Sequence, residues 1–407
     1  MLLYNIGIFL YGFALKVASL FNGKARLWVR GRRGLLRRLE QEVPEGSRVM
    51  WVHCASLGEF EQGRPLIEAV KAQHPEFRVM LTFFSPSGYE IRKNYALADW
   101  VFYLPLDTPR NARRFMRTLR PEIAVFVKYE FWLNYLRQLK RSGCRTFVVS
   151  AIFRRGSVFF KWYGGMFRRA LSSFEKIFVQ NDDSKQLLAG LGVADAVVAG
   201  DTRFDRVARI AENAQDLPVI ARFAQGAKVF VAGSTWPPDE DLVMQAVAAF
   251  PGVKFIVAPH EMDQDRIDRF VAASPRKAVR YTESGEDEVA EADVLVVDTI
   301  GILSSVYRYG TFGYIGGGFG VGIHNTLEAA AFGLPLAFGP NYAKFREARD
   351  LIGIGAARSI SSFPELQQWL DGLLADPERY GKESAEASGY VEGHKGATDI
   401  IMETLFG

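Results

Sequence analysis

The sequence predicts an α/β protein with two doubly wound parallel sheets in tandem. The chain has 407 residues, whereas a single domain usually has about 100 to 200. After Glu40, short apolar runs alternate with amphipathic stretches of helical length, and this alternation restarts after a polar, alanine-rich interval at 206–226. Strands that are apolar on both faces are typical of parallel sheets covered by helices. We therefore expect one domain at 39–205, a linker at 206–226 and a second domain at 227–407.

The chain begins with an apolar segment that is followed by a basic one. Residues 2–21 are mainly apolar, with Asn5 and Lys16 as interruptions, and Lys and Arg residues crowd the interval from Lys24 to Arg38. This order favours an anionic membrane surface over nucleic acid as the partner. We expect an anchor helix with a basic flank at 1–38, which either spans the bilayer or lies along it. A core helix of a soluble domain is the alternative.

The charge order also predicts the side of the membrane. The basic residues follow the apolar segment, and no cleavage site of small residues is present, so a signal peptide is not indicated. The positive-inside rule then places the rest of the chain in the cytoplasm. Only two cysteines occur, which suits a reducing compartment.

Short β-rich apolar runs predict the strands of both sheets. The first set is Arg48–His53, Val79–Phe84, Trp100–Pro105, Ile123–Tyr129, Thr146–Ala151, Lys176–Gln180 and Ala196–Gly200. The second set is Lys228–Gly233, Lys254–Pro259, Val294–Asp298, Thr311–Gly316 and Pro335–Phe338. In sheets of this kind, ligands bind beyond the carboxyl ends of the strands.

Polar groups follow three predicted strands of the first domain. Glu59 ends "ASLGE", Glu130 lies in "VKYEFW", and Arg203 stands between two aspartates in "GDTRFD". Each residue alone also suits a structural role, since an acid in the first helical turn favours the helix dipole and Arg203 suits a surface ion pair. Their common position at strand ends favours a shared active site.

The second domain has a glycine-rich loop that leads into a helix, "GGGFGVGIHNTLEAAAFGLP". Its backbone suits a phosphate, Asn325 is expected to open the helix, and Glu328 is placed to accept hydrogen bonds from ribose hydroxyls. Neither G-x-G-x-x-G nor G-x-x-x-x-G-K-[ST] occurs, which argues against a dinucleotide oxidoreductase and a P-loop ATPase. No D-x-D pair ends a strand, so we expect no metal and no cofactor.

Seven ordered motifs carry a resemblance to a known family. They are "HCASLGEFEQGRPLI", "KYEFWLN", "GDTRFDRV", "GSTWPPDE", "APHE", "DTIG" and "HNTLEAAAFGLPLAFGPNYAKF". Over nearly its whole length the chain resembles the 3-deoxy-D-manno-octulosonic acid (Kdo) transferases, inverting glycosyltransferases of the GT-B fold that act in lipopolysaccharide biosynthesis. The resemblance implies two Rossmann-like domains facing a deep cleft, CMP-Kdo as the donor and a lipid A precursor as the acceptor. It also implies a location on the cytoplasmic face of the inner membrane.

The resemblance also implies roles for individual residues. Glu59 matches the general base, and Glu130 and Arg203 match residues that stabilise the transition state. The implied contacts to CMP are Pro259, His260, Ile300, Gly301, Ile302, Asn325, Thr326, Leu327 and Glu328. The glycine-rich loop adds Gly317 and Gly318 to the predicted donor site, and the strand end at "AGSTWPPDE" adds Ser234. Two residues depart from the family pattern, because Arg203 stands where many members have Lys and Ile302 where an acid is common. Another GT-B enzyme with a UDP- or GDP-sugar donor, and a noncatalytic nucleotide-binding protein, are the alternatives.

Overall fold

The structure, a computed structural model, describes residues 1–128 and 130–407. Its contacts divide the chain into two compact units, Met1–Asp205 with Lys395–Gly407, and Arg206–His394. Within the described residues, each unit contains one seven-stranded sheet, and the paired strands run parallel. The predicted α/β class with two doubly wound sheets is therefore confirmed.

The first unit has the strand order β3-β2-β1-β4-β5-β6-β7. Its elements are α1 (Leu2–Ala18), α2 (Gly23–Gly31), α3 (Leu35–Glu42), β1 (Val49–Cys54), α4 (Leu57–Gln73), β2 (Arg78–Phe83), α5 (Pro86–Arg92), β3 (Trp100–Tyr103), α6 (Pro109–Leu119), β4 (Ile123–Val127), α7 (Leu133–Ser142), β5 (Arg145–Ala151), a 3₁₀ turn (Val158–Phe160), α8 (Gly165–Leu171), β6 (Lys176–Val179), α9 (Asp182–Ala189) and β7 (Ala196–Val198). The predicted strand Ile123–Tyr129 ends at Val127, and Tyr129 lies outside the described residues.

Strand β1 shows why the sheet forms. All six of its residues are buried, because successive side chains of a strand point to opposite faces and both faces carry helices. Val49 and Trp51 belong to the apolar cluster on one face, whereas Met50, Val52 and Cys54 belong to the cluster on the other. A strand that is apolar on both faces therefore lies at the centre of the sheet.

Helix α1 is attached to the first unit by polar contacts. The Tyr4 hydroxyl donates to Asp107 at 2.6 Å, and Asn134 Nδ2 donates to Asn5 Oδ1 at 2.9 Å. Asp107 also accepts the backbone N–H groups of Asn134 and Tyr135 in the first turn of α7. Asn5, which interrupts the apolar run, thus pairs with Asn134 of its own unit. Among the described residues, no helix is long and apolar enough to cross a membrane.

The second unit has the strand order β10-β11-β9-β8-β12-β13-β14. The elements from the unit boundary onward are α10 (Arg203–Glu212), α11 (Pro218–Ala224), β8 (Lys228–Thr235), α12 (Pro237–Ala249), β9 (Val253–Pro259), α13 (Gln264–Ala273), β10 (Ala278–Arg280), α14 (Glu286–Ala290), β11 (Val294–Val296), α15 (Leu303–Val306), a 3₁₀ turn (Tyr307–Tyr309), β12 (Phe312–Ile315), α16 (Leu327–Ala330), β13 (Leu336–Phe338), α17 (Arg346–Gly353), β14 (Ala357–Ser359), α18 (Phe363–Ala375) and α19 (Pro377–Glu392). The edge strands β10 and β14, of three residues each, were not predicted.

The division differs from the predicted boundaries in two places. The interval 206–226, expected to be a linker, contains most of α10 and the whole of α11. The last helix, α20 (Ala397–Phe406), was expected in the second domain but lies in the first unit. Its Ile401 and Leu405 join the apolar cluster of β1, and Asp205 accepts the backbone N–H of Thr398 at 2.7 Å. Apolar burial against the first sheet therefore places α20 in the first unit.

Candidate active site

The strand order places Glu59 and Glu130 beyond the centre of the first sheet. Strands β1 and β4 are neighbours, although β2 and β3 lie between them in the chain, so the chain changes direction across the sheet there. Ligands of doubly wound sheets bind at such a switch point, outside the carboxyl ends of the strands. Glu59 follows β1 and Glu130 follows β4, as the sequence predicted.

Glu59 lies in the first turn of α4 and is buried. Its Oε2 accepts the backbone N–H of Ala55 at 2.5 Å, so the carboxylate is fixed at the strand end. Burial raises its pKa above the usual value, while the Ala55 hydrogen bond and the charge of Lys128 act in the opposite direction. A buried carboxylate with a raised pKa is a stronger base toward an alcohol than one in water.

Glu130 is a second carboxyl group in the same electrostatic environment. Burial and the nearby charge of Glu59 raise its pKa to about 7, against a hydrogen bond with Trp132 that lowers it. Carboxyl groups with shifted pKa values cluster at catalytic sites, where such groups act as bases and as proton donors.

A buried chain of hydrogen bonds holds Trp132 beside Glu130, and sequence reasoning missed it. The Trp132 indole donates to His53 Nε2 at 3.2 Å, so His53 carries its proton on Nδ1, which lies 2.9 Å from Thr82 Oγ1. Burial lowers the pKa of His53 to about 3, which keeps the ring neutral. "WVHC" reads as a plain apolar strand, and only the neighbouring strand explains its histidine.

Arg203 is connected to Glu59 through α4. Gln62, one turn after Glu59, donates to Asp201 Oδ2 at 2.9 Å. Arg203 donates to the same oxygen through Nε at 3.0 Å and Nη2 at 2.9 Å. Asp201 is buried, so this pair fixes the guanidinium near the strand ends. The three predicted residues, Glu59, Glu130 and Arg203, thus lie on the side of the first sheet where its strands have their carboxyl ends.

Strained backbone marks the ends of three strands. Lys128, Ser150 and Ser234 have φ values of 65°, 53° and 57°, in the left-handed region that residues with a Cβ seldom adopt. Ser150 and Ser234 coincide with register shifts in β5 and β8. Residues in this conformation cluster at functional sites. Of the three, only Ser234 was among the predicted site residues, because sequence patterns do not reveal strain.

In the second unit, Asp239 ties two strand ends together. The switch point lies between β8 and β12, and buried Asp239 accepts the backbone N–H groups of Trp236 and Gly317, both at 2.9 Å. Gly317 has a φ of 91°, which favours glycine. A Cβ on Gly318 would lie 2.6 Å from the backbone of Gly339. These glycines are therefore required by the loop itself, whether or not a phosphate approaches it.

Three aromatic rings stack beside this loop. The centroids of Trp236 and His260 are 4.9 Å apart, and those of His260 and His324 are 4.1 Å apart. The Trp236 indole donates to His324 Nε2 at 3.0 Å, so His324 carries its proton on Nδ1, which remains a donor. Burial lowers the pKa of His324 to about 4. His260 was predicted as a site residue, whereas Trp236 and His324 were not.

The remaining predicted donor contacts line the same edge. Ile300 is 82% exposed, Gly301 has a φ of 99°, and both precede α15. Asn325 Nδ2 donates to Glu328 Oε1 at 2.9 Å, and Asn325 Oδ1 accepts the N–H of Leu327 at 3.2 Å. The helix expected to begin at Asn325 is α16, which has only four residues, so its dipole is weaker than expected. Among the described residues, no cluster of His, Cys, Asp or Glu suits a metal ion.

Comparisons with known proteins agree with the motifs. The family model of the 3-deoxy-D-manno-octulosonic-acid transferase (kdotransferase) matches residues 29–206. A 3-deoxy-D-manno-octulosonic acid transferase of Bordetella pertussis is 28% identical over 379 residues, 88% of this chain and 86% of its own. The transferase of that name from Aquifex aeolicus is 26% identical over 334 residues, 80% of this chain and 86% of its own.

Solved structures share the fold at low identity. A putative UDP-N-acetylglucosamine 2-epimerase from Listeria monocytogenes gives a TM-score of 0.58 at 14% identity, covering 88% of this chain and 96% of its own. The UDP-GlcNAc 2-epimerase from Neisseria meningitidis gives a TM-score of 0.59 at 14% identity, covering 88% of this chain and 99% of its own. These structures confirm a GT-B-like pair of Rossmann-like domains. The family model over residues 29–206 and the relatives that cover most of the sequence support a Kdo transferase, which is a glycosyltransferase.

Proposed function

We propose that this protein transfers Kdo from CMP-Kdo to a lipid A precursor with inversion and releases CMP, at the cytoplasmic face of the inner membrane. The observation that carries the proposal is the pair Glu59 and Glu130 at the switch point of the first sheet, with raised pKa values. Relatives that bear the name of this transferase cover most of the chain, which supports the choice of sugar.

Each polar group at this edge has a proposed role. Glu59 removes the proton from the acceptor hydroxyl, which then attacks the anomeric carbon of Kdo as the bond to CMP breaks. Glu130 in its protonated form and Arg203 stabilise the negative charge that develops on the other side of the reaction. The second unit holds CMP through the glycine-rich loop, His260 and the segments around Ile300 and Glu328.

The proposal is tested by incubating the purified protein with freshly made CMP-Kdo and a lipid A precursor. Mass analysis of the lipid should show the mass of one or more added Kdo residues, and CMP should appear in proportion. UDP- and GDP-sugars are offered in parallel reactions. Transfer from one of these donors and none from CMP-Kdo would contradict the proposed donor, and CMP binding without any transfer would indicate a noncatalytic protein.

Replacing Glu328 with Ala should weaken CMP binding about 10- to 150-fold, because hydrogen bonds to a charged acceptor contribute about 1.5 to 3 kcal/mol. The lost bonds are those that the carboxylate accepts from the ribose hydroxyls. Equilibrium dialysis with CMP measures the change. Glu386→Ala is the control, since Glu386 is an exposed acid of α19 in the same unit. Equal CMP affinity of both variants would remove Glu328 from the donor site.

Helix α1 is the proposed membrane contact. While Tyr4, Asn5 and Ile8 face the first unit, another side of the helix exposes large apolar side chains. These are Leu2, Leu3, Ile6, Phe9, Leu10, Phe13 and Val17, followed by Leu20 and Phe21 beyond the helix. A helix with one attached side and one exposed apolar side suits a position along the bilayer surface, where the basic flank pairs with anionic headgroups.

The double variant Phe9→Ser, Phe13→Ser should bind anionic vesicles at least about tenfold more weakly, since each buried phenylalanine contributes about 1.5 to 3 kcal/mol. Co-sedimentation with vesicles measures the bound fraction. Ile91→Ser is the control, because Ile91 and Phe13 are each 59% exposed in the same unit. Vesicle binding of the double variant that equals wild type would contradict the anchor.

A further inference from the structure

A cavity of about 670 Å³ lies in the first unit beside Glu130. Its wall is mainly apolar and aromatic, with Phe131, Trp132, Phe159 and Phe167 among the lining residues. This volume lies within the range of small-molecule sites, which are mostly apolar with a few placed polar groups. The catalytic roles proposed above use Glu130 and leave the rest of this cavity without a function.

One end of the cavity lies at the carboxyl end of β4, where Glu130 follows the strand. Glu130 and Lys128 form part of the wall, and Glu130 is close enough to Glu59 for the charge of Glu59 to raise its pKa. Trp132 is held from two sides, by its hydrogen bond to His53 and by a ring contact with Phe84 at 4.6 Å. This part of the wall is therefore fixed before any ligand binds.

The other wall is built from segments with exposed apolar surfaces. Tyr4 and Ile8 of α1 line the cavity, and the same helix exposes Leu3 and Phe9 elsewhere on its surface. The segment between β5 and α8, which supplies Val158 and Phe159 to the wall, also carries Trp162, which is 91% exposed. Exposed tryptophan is typical of the membrane–water interface.

We propose that this cavity holds an acyl chain of the lipid acceptor and so brings the sugar hydroxyl of that lipid to Glu59. The inference rests on the proposed function, because it names where that acceptor binds. An acyl chain fits better than a second sugar, since a sugar needs many hydrogen-bonding partners and this wall is mainly apolar. Arg154 and Lys128 also line the cavity, and their charges suit a phosphate group on the same lipid.

In the kinetic test, the substitution Gly156→Leu narrows the cavity. Gly156 lines the cavity, and a Cβ there would meet no atom of the other described residues within 4 Å. The KM for an acylated lipid A precursor should rise tenfold or more, because each methylene kept out of the cavity costs about fourfold in affinity. The KM for the fully deacylated, phosphorylated disaccharide should stay at its wild-type value. Equal changes for both acceptors would overturn the proposal.

The control is Gly165→Leu. Gly165 begins α8, directly after that segment, and is not among the described residues of the cavity wall. A Cβ there would have a side-chain nitrogen of Arg168 at 3.5 Å as its nearest neighbour among the described residues. Both acceptors should retain wild-type KM values in this variant. If Gly156→Leu folds poorly, Ile152→Phe narrows the same cavity. Wild-type protein that transfers Kdo to neither acceptor would contradict the proposed function instead.

A binding test separates the cavity proposal from the proposed function, because binding is measured without any sugar transfer. Dodecyl maltoside with a brominated alkyl chain, below its critical micelle concentration, should quench wild-type tryptophan fluorescence more strongly than that of Trp132→Phe. The Gly156→Leu protein should be quenched no more strongly than Trp132→Phe, whereas the Gly165→Leu protein should be quenched as strongly as wild type. Equal quenching of wild type and Trp132→Phe would show that no alkyl chain enters beside Trp132 and would overturn the cavity proposal, whatever the enzyme transfers.

Discussion

Replacing Glu59 with Gln is expected to lower the rate of Kdo transfer about 10²- to 10⁴-fold, the usual range for the loss of general acid–base catalysis. The proposed acceptor is an alcohol, and it attacks the sugar more readily when a base removes its proton. Gln has nearly the same size as Glu and no basicity at this position. CMP binding should stay at the wild-type value, because the proposed donor contacts lie in the second unit.

The hydrogen bond to Ala55 makes Gln the informative replacement. Glu59 Oε2 accepts the backbone N–H of Ala55, and the amide oxygen of Gln is able to accept the same bond. The fold therefore keeps its local contact while the base is lost. If Glu59 only favours the dipole of α4, the change should instead cost about 0.3 to 1 kcal/mol of unfolding free energy and leave transfer nearly intact.

The control for this experiment is Glu68→Gln. Glu68 lies on the same helix and pairs with Arg64 at 2.7 Å, so the chemical change is identical and the site is not involved. Transfer to lipid A precursor, CMP affinity and thermal unfolding are measured for both variants. Near-normal transfer by a stable Glu59→Gln protein would contradict the role of Glu59, and Glu130 would then be the candidate base.

The strands of both sheets were largely predictable because burial on both faces leaves a continuous apolar run. β1 and β4 follow this rule, and their predicted bounds differ from the observed ones by one or two residues. The edge strands β10 and β14 are short, and two of the three residues in each are not buried, so no such run marks them. The place of α20 depends on contacts with residues far away in the chain, which periodicity does not report.

The candidate site was predictable as a set of strand ends, but not as a set of contacts. Glu59 and Glu130 could be placed at one edge because parallel strands end together. Trp132 and His53 could not be joined, since their hydrogen bond depends on β1 lying beside β4. The contact between Trp236 and His324 depends in the same way on β8 lying beside β12. A pairing between distant parts of the chain leaves no local pattern.

Replacing Glu130 with Ala is expected to lower transfer about 10²- to 10³-fold, as the loss of one donor to a developing charge usually does. In the proposed mechanism Glu130 acts in its protonated form. Its pKa is raised to about 7 by burial first and then by the charge of Glu59. The protonated fraction, and with it the rate, should fall as the pH rises through about 7.

Glu130→Gln distinguishes a hydrogen-bond donor from a base at this position. The amide donates at every pH, so this variant should retain most of its activity at pH 6 and should lose the decline that wild type shows above about pH 7. Glu122→Gln is the control, because Glu122 precedes the same strand β4 and pairs with Arg48 at 3.0 Å. It should keep the wild-type pH profile. A Glu130→Gln protein as inactive as Glu130→Ala at pH 6 would contradict the donor role.

The pH dependence of the unfolding free energy gives an independent test of the Glu130 pKa. A carboxyl group whose pKa is higher in the folded protein than in the unfolded chain takes up a proton on folding, so its contribution to stability is lost as the pH rises from about 4.3 toward about 7. Gln at position 130 does not titrate. The unfolding free energy of Glu130→Gln, relative to wild type, should therefore be higher at pH 8 than at pH 5. A difference that does not change with pH would show that burial does not hold the Glu130 pKa near 7, and the proposed proton donor would have no proton to give at neutral pH.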